Sequence, residues 1–177
     1  MSNTTTLKEA TWEAHKAAEK TEFMRKMVTG DYEGQLWIDH LTNLFLIYTV
    51  IESRLTVLGS MGLGRASHII NDLRSMKHEF KTQGKIVPST FEYVEHLLSL
   101  DDVQLIAHLY VRWLGDMNGG SMIANKCKFY HSYLDWKDAK QSMADVRGIV
   151  GPVQEQIVDE AKLAFEYATR INNDLLL

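Results

Sequence analysis

Residues 101–126 read DDVQLIAHLYVRWLGDMNGGSMIANK. Asp101 or Asp102 is a good helix cap, and the helix it starts reaches at least Lys126. Yet Gly115, Gly119 and Gly120 fall inside it. Each costs about 1 kcal/mol relative to alanine in a helix interior. A helix that carries three such residues needs close backbone approach or a kink. Gly115 and Gly119 lie one turn apart, and with Gly120 they offer a bare ledge for a large flat ligand. Arg112 and Asp116 are spaced i, i+4, so they can pair. A carboxylate beside such a ledge could order water over a ligand. The plain alternative is a small-residue helix crossing with a surface ion pair. A membrane dimer motif is disfavoured, since Asp116 and Asn118 would sit in lipid.

Helical periodicity also governs the rest of the chain, and no stretch shows sustained period-two alternation. Thr6 and Glu9 form a capping box for a first helix that runs through His15 to about Val28 and stops at Gly30. Asp31 is placed to cap a second helix. Its Leu36, Trp37, Leu41, Leu44, Phe45, Tyr48, Ile51 and Leu55 make one core face. Gly59 to Gly64 reads as a flexible connection, followed by a helix over about 67–83 that ends at Gly84. Pro88 opens the next helix, with Ser89 and Glu92 as a second capping box. Asp135 is placed to cap a helix through Val150. Gly151-Pro152 punctuates, and a last helix covers about 153–175. The expectation is an all-α, single-domain protein over 1–177 with six or seven helices.

Composition narrows the function. The chain has 177 residues, 45% hydrophobic and 24% charged, which fits a globular protein and excludes wholesale disorder. The single cysteine, Cys127, permits no internal disulfide, so a reducing compartment fits. A net charge of −4 argues against nucleic-acid binding by bulk electrostatics. Met1 to Thr6 is polar and does not resemble a secretory leader, and no apolar run reaches the roughly 18 residues that would span a bilayer. The expected location is cytoplasmic. The common zinc spacings, the di-iron carboxylate pattern, the P-loop, the dinucleotide fingerprint and the serine nucleophile elbow are all missing.

His15 anchors the second unusual segment. Thr11, Ala18 and Glu19 surround it on one helical face, and small neighbours leave room against the imidazole. Glu19, one turn on, can hydrogen-bond the outer ring nitrogen and so fix the tautomer of a metal-bound histidine. Lys8 lies two turns back, about 10.5 Å along a continuous helix. The bland reading of His15 is a partly exposed helix residue. His108 reads as a core or rim histidine near Arg112. Trp37, Phe45 and Tyr48 read as core, although a buried Tyr48 hydroxyl needs a partner.

Together these segments resemble the biliverdin-forming heme oxygenases. LKEATWEAHKAAEKTEFM through IYTVIE (7–52) is similar to the first two helices of that family, YVRWLGDMNGGS (110–121) to its distal helix, and IVDEAKLAF (157–165) to its last helix. The resemblance implies heme b held between a proximal and a distal helix, as both substrate and cofactor. It implies His15 as ligand to the iron, with Glu19 behind it. It implies Gly115, Gly119 and Gly120 against the heme face, and Tyr110 along the distal wall. Asp116, supported by Arg112 and Tyr48, would anchor the water that carries a proton to dioxygen at the iron. Lys8 and Lys137 would attract the heme propionates. Trp12 stands where mammalian members have a second propionate lysine, and Gln141 where an arginine is usual. The implied products are biliverdin, carbon monoxide and ferrous iron, with electrons from ferredoxin or an NADPH-linked soluble reductase. A carrier or sensor of the same fold is the alternative.

Overall fold

The computed structural model describes residues 6–177, so the reading of the chain's polar start lies outside the described residues up to position 5. Among the described residues there are ten α-helices and no strand. The excess over six or seven comes from breaks that apolar periodicity does not register.

The first expected helix is in fact three. Thr6 forms the expected box with Glu9, but α1 (Leu7–Ala10) ends at once. At Thr11 the backbone turns to φ −102°, ψ 2°, and its hydroxyl donates to the Leu7 carbonyl at 2.8 Å. Such local bonding competes with the helical ladder. After α2 (Trp12–Glu19), Thr21 is extended and its hydroxyl accepts from the Met24 N–H, starting α3 (Glu22–Thr29). Gly30 closes α3 in the left-handed conformation at φ 74°.

Asp31 does not cap the next helix. It pairs with Arg25, and α4 (Gly34–Arg54) begins after Glu33 without a side-chain cap. The long α4 buries Trp37, Ile38, Leu41, Leu44, Ile47, Tyr48 and Ile51. The glycine connection holds a one-turn helix, α5 (Val57–Ser60). α6 (Ala66–Phe80) stops earlier than expected, because Lys81 turns left-handed at φ 53°. Pro88 does open α7 (Pro88–Ser99), but the second capping box is not made. The Ser89 hydroxyl is buried without a partner, and Glu92 pairs with Arg170. α8 (Asp102–Lys126) starts as expected, with Asp101 and Gln104 in a capping box. A 3-10 turn follows at Ser132–Leu134, and Asp138, not Asp135, caps α9 (Ala139–Val150). A second 3-10 turn at Gly151–Val153 delays α10 to Val158–Asp174.

The last helix positions the site. α10 lies against α2, α3, α7 and α8, while α4 packs on α6, α7 and α8. α2 and α8 share α10 as a floor but do not pack extensively on one another. The core is aromatic where it is deepest. Trp37 and Trp113 are fully buried, and their indole N–H groups donate to the carbonyls of Tyr130 at 2.8 Å and Leu63 at 2.7 Å. Among the described residues, no helix is long and apolar enough to cross a membrane.

Candidate functional site

The glycine stretch of α8 divides by what surrounds it. A Cβ added at Gly115 or Gly119 meets nothing within 4 Å. One added at Gly120 comes within 2.9 Å of Leu134 Cδ2. Two glycines therefore face open space, while the third admits the 132–134 turn. The expected three-residue ledge is a two-residue one.

Asp116 lies between them and is half-buried. It does not form the expected ion pair with Arg112. Its carboxylate accepts instead from the Tyr48 hydroxyl, presented from the buried face of α4. Burial pushes Asp116 up to about 6, against the opposing pull of Tyr48, Arg112 and Arg65. Burial, with Asp116 beside it, raises Tyr48 well above the usual phenol range, so Tyr48 stays protonated and remains the donor. The Tyr48 ring stacks on Trp113, with centroids 4.4 Å apart.

Arg112 lies over the Tyr93 ring, its Cζ 5.2 Å from the centroid. Its Nε and Nη2 are buried with no hydrogen-bond partner among the described residues. Unmet guanidinium donors inside a protein are costly, and they point to water or an anionic ligand as the missing partner. Tyr93 also reaches His108, which is fully buried, so His108 belongs to the core as its bland reading had it.

On α2, His15 Nε2 lies 3.0 Å from Glu19 Oε1. The carboxylate fixes one ring nitrogen as a donor and leaves the other with its lone pair. The His15 ring packs at 5.3 Å from Phe165 of α10 and 5.6 Å from Trp12. Lys8 is exposed, but on α1, beyond the Thr11 break, so it does not share one continuous stripe with His15. Lys137 is exposed in the turn before α9. Tyr110 is half-buried with the Thr11 side chain against its hydroxyl. Gln141 lies in the first turn of α9 and bonds Asp145 at 2.8 Å, and Trp12 is exposed.

Arg65, whose charge acts on Asp116, and His40, beside Tyr133 and Arg112, escaped the sequence reading. Arg65 is buried, its guanidinium donating to the carbonyls of Gly64 at 2.8 Å, Asp135 at 3.1 Å and Gly62 at 3.3 Å, over the Trp136 ring. His40 lies 3.2 Å from the Tyr133 hydroxyl, and burial, with Arg112 nearby, pushes it down to about 3. Arg65 sits in the glycine-rich connection and reads there as a loop cation. His40 carries no local acidic context. Only the packing of α6 and the 132–134 turn brings them inward.

Comparison with known proteins bears on the family and the fold. The family model for heme oxygenase matches residues 1–135. Heme oxygenase 2 of Macaca fascicularis is 25% identical over 201 residues, covering 96% of this chain and 64% of its own length. The chain thus spans a little under two thirds of that relative. Heme oxygenase of Rhodella violacea is 24% identical, covering 96% of this chain and 85% of its own. The crystal structure of heme oxygenase-1 from the cyanobacterium Synechocystis, in complex with heme, superposes with a TM-score of 0.81 at 22% identity. That match covers 96% of this chain and 90% of the other, and it is a likeness of fold.

Proposed function

The chain belongs to the heme oxygenase family, and from that premise we propose that it opens heme oxidatively to biliverdin, carbon monoxide and ferrous iron, with heme as both substrate and cofactor. The single observation that carries the reading is Asp116. It is a half-buried carboxylate on a helix that leaves open space over the two glycines beside it.

The residues suit a heme. One nitrogen of His15 is held by Glu19, which leaves the other as an iron ligand. Gly115 and Gly119 would let the macrocycle approach α8 closely. Lys8, Lys137 and Tyr110 would meet its anionic edge and its rim. The bound heme supplies the redox chemistry that activates dioxygen for attack on its own ring. The chain's residues bind, orient and move protons. Asp116, ionised above pH of about 6, accepts from Tyr48 and would accept from water bound beside the heme. Arg112 holds two buried donors, Nε and Nη2, that such water or the ligand would satisfy. Protons would then pass to the oxygen side of the heme through groups aimed in advance. Electrons would come from ferredoxin or an NADPH-linked soluble reductase, in a reducing cytoplasmic setting consistent with one cysteine.

The test is to load the chain with heme, add a reductant and oxygen, and follow the Soret band. Its replacement by a biliverdin spectrum is expected. A Soret band that persists under ample electron supply would overturn the reading in favour of a heme carrier or sensor.

A further inference from the structure

A second polar cluster lies on α8, one turn before Arg112 and apart from the glycine face. His108 Nε2 is 2.8 Å from Glu160 Oε1, and His96 Nε2 is hydrogen-bonded to the same oxygen. The three residues come from α8, α10 and α7 in turn. Their donor atoms all fall within 4.8 Å of one another. We propose that His96, His108 and Glu160 bind one divalent transition-metal ion at a site separate from the heme.

The chemistry of the donors carries this. Two imidazoles and one carboxylate form a set that suits first-row divalent ions and leaves positions open for water. Donors that now share a carboxylate oxygen would separate by a few tenths of an ångström to admit one ion at bond lengths of about 2.0–2.2 Å. With both histidines neutral, the set carries one negative charge toward a doubly charged ion. The ring of His108 is also oriented as a ligand would be. Its Nδ1 is 2.7 Å from the Tyr93 hydroxyl, which holds the ring with Nε2 directed at the cluster; on metal binding the proton that Nε2 now shares with Glu160 would be released, and Nδ1–H would donate to Tyr93. The site is set by packing, since α10 lies against both α7 and α8. It is also reachable from solvent: the side chains of His96 and Glu160 keep 21% and 15% of their accessible surface, while His108 keeps none. Sequence spacing could not show this cluster, because His96, His108 and Glu160 span 65 positions with no short motif among them.

The inference does not depend on the heme reading and is tested without heme. The full chain, stripped of metal, is titrated with Co2+ and followed by visible absorption, with Zn2+ calorimetry for stoichiometry. One ion per chain is expected. His96→Gln and Glu160→Gln should each weaken binding at least tenfold while keeping the wild-type helical circular dichroism. His15→Ala should bind Co2+ as the wild type does. Tyr93→Phe should weaken binding a few-fold, through loss of the His108 partner. Absence of a saturable Co2+ band would overturn the proposal. So would equal affinity in the His96 and Glu160 variants, or loss of the band in His15→Ala.

Discussion

Gly115 and Gly119 on one side, and Gly120 on the other, are the same residue in the same helix, yet they answer to different partners. Gly120 gives up helix propensity so that Leu134 can pack against the α8 backbone. The fold recovers that cost as contact. Gly115 and Gly119 give up as much, and among the described residues nothing outside their own helix backbone would come within 4 Å of an added Cβ to return it. A helix interior that forgoes side chains over empty space is shaped for something outside the chain. Asp116, between the two open glycines, shows the same imbalance electrostatically. The fold raises it to about 6 and leaves Arg112 donors unmet nearby.

The comparison breaks first at Asp116. Asp116→Ala should cut biliverdin formation about a hundredfold or more and leave heme affinity within a few-fold, as Soret titration will show. Unchanged turnover would remove the carboxylate from the chemistry. Next is the pH profile. Turnover should fall as pH drops through about 6, where Asp116 takes up a proton, and Asp116→Asn should flatten that limb. The same shift has a stability sign. The folded chain favours the protonated form, so that contribution is complete below about 3.8 and lost as pH rises through about 6.

Bulk at an open glycine should act on ligand alone. Gly119→Leu should lower heme affinity tenfold or more, with the urea midpoint unchanged or slightly raised. Gly120→Ala reverses the pattern, with a loss of about 1–2 kcal/mol in urea unfolding from crowding Leu134. The smallest effect is Gly115→Ala, a gain of up to about 1 kcal/mol in stability beside weaker heme binding. If Gly115→Ala destabilises and Gly120→Ala does not, the division is wrong.

How far the sequence could be read follows from range. Apolar periodicity reports a face that is buried, so α4, α8 and α10 were legible. It is blind to where the backbone leaves the helix. Thr11 and Thr21 interrupt the first helix through hydroxyl bonds to the backbone, and their sequence looks helical throughout. The caps showed the same limit. Thr6 and Asp101 compete only with solvent and cap as expected, whereas Ser89 is buried and Asp31 is taken by Arg25. At the site, Asp116 and its glycines lie within one turn of each other and were visible together. Its partner Tyr48 comes from 68 positions away, and Arg65 and His40 also arrive through tertiary packing.

One contact of the core has a reach beyond packing. Tyr48 is stacked on Trp113, and the Trp113 indole is tied to the Leu63 carbonyl. A phenol free to turn would have to give up rotational entropy each time its hydroxyl met Asp116. Here the ring has no such freedom left, because folding has already removed it. The aim of that hydroxyl is therefore preorganised, set once when the chain folds and not again at each turnover. Loosening Trp113, which is fully buried and has no hydrogen bond of its own to Asp116, would return the search to the working site.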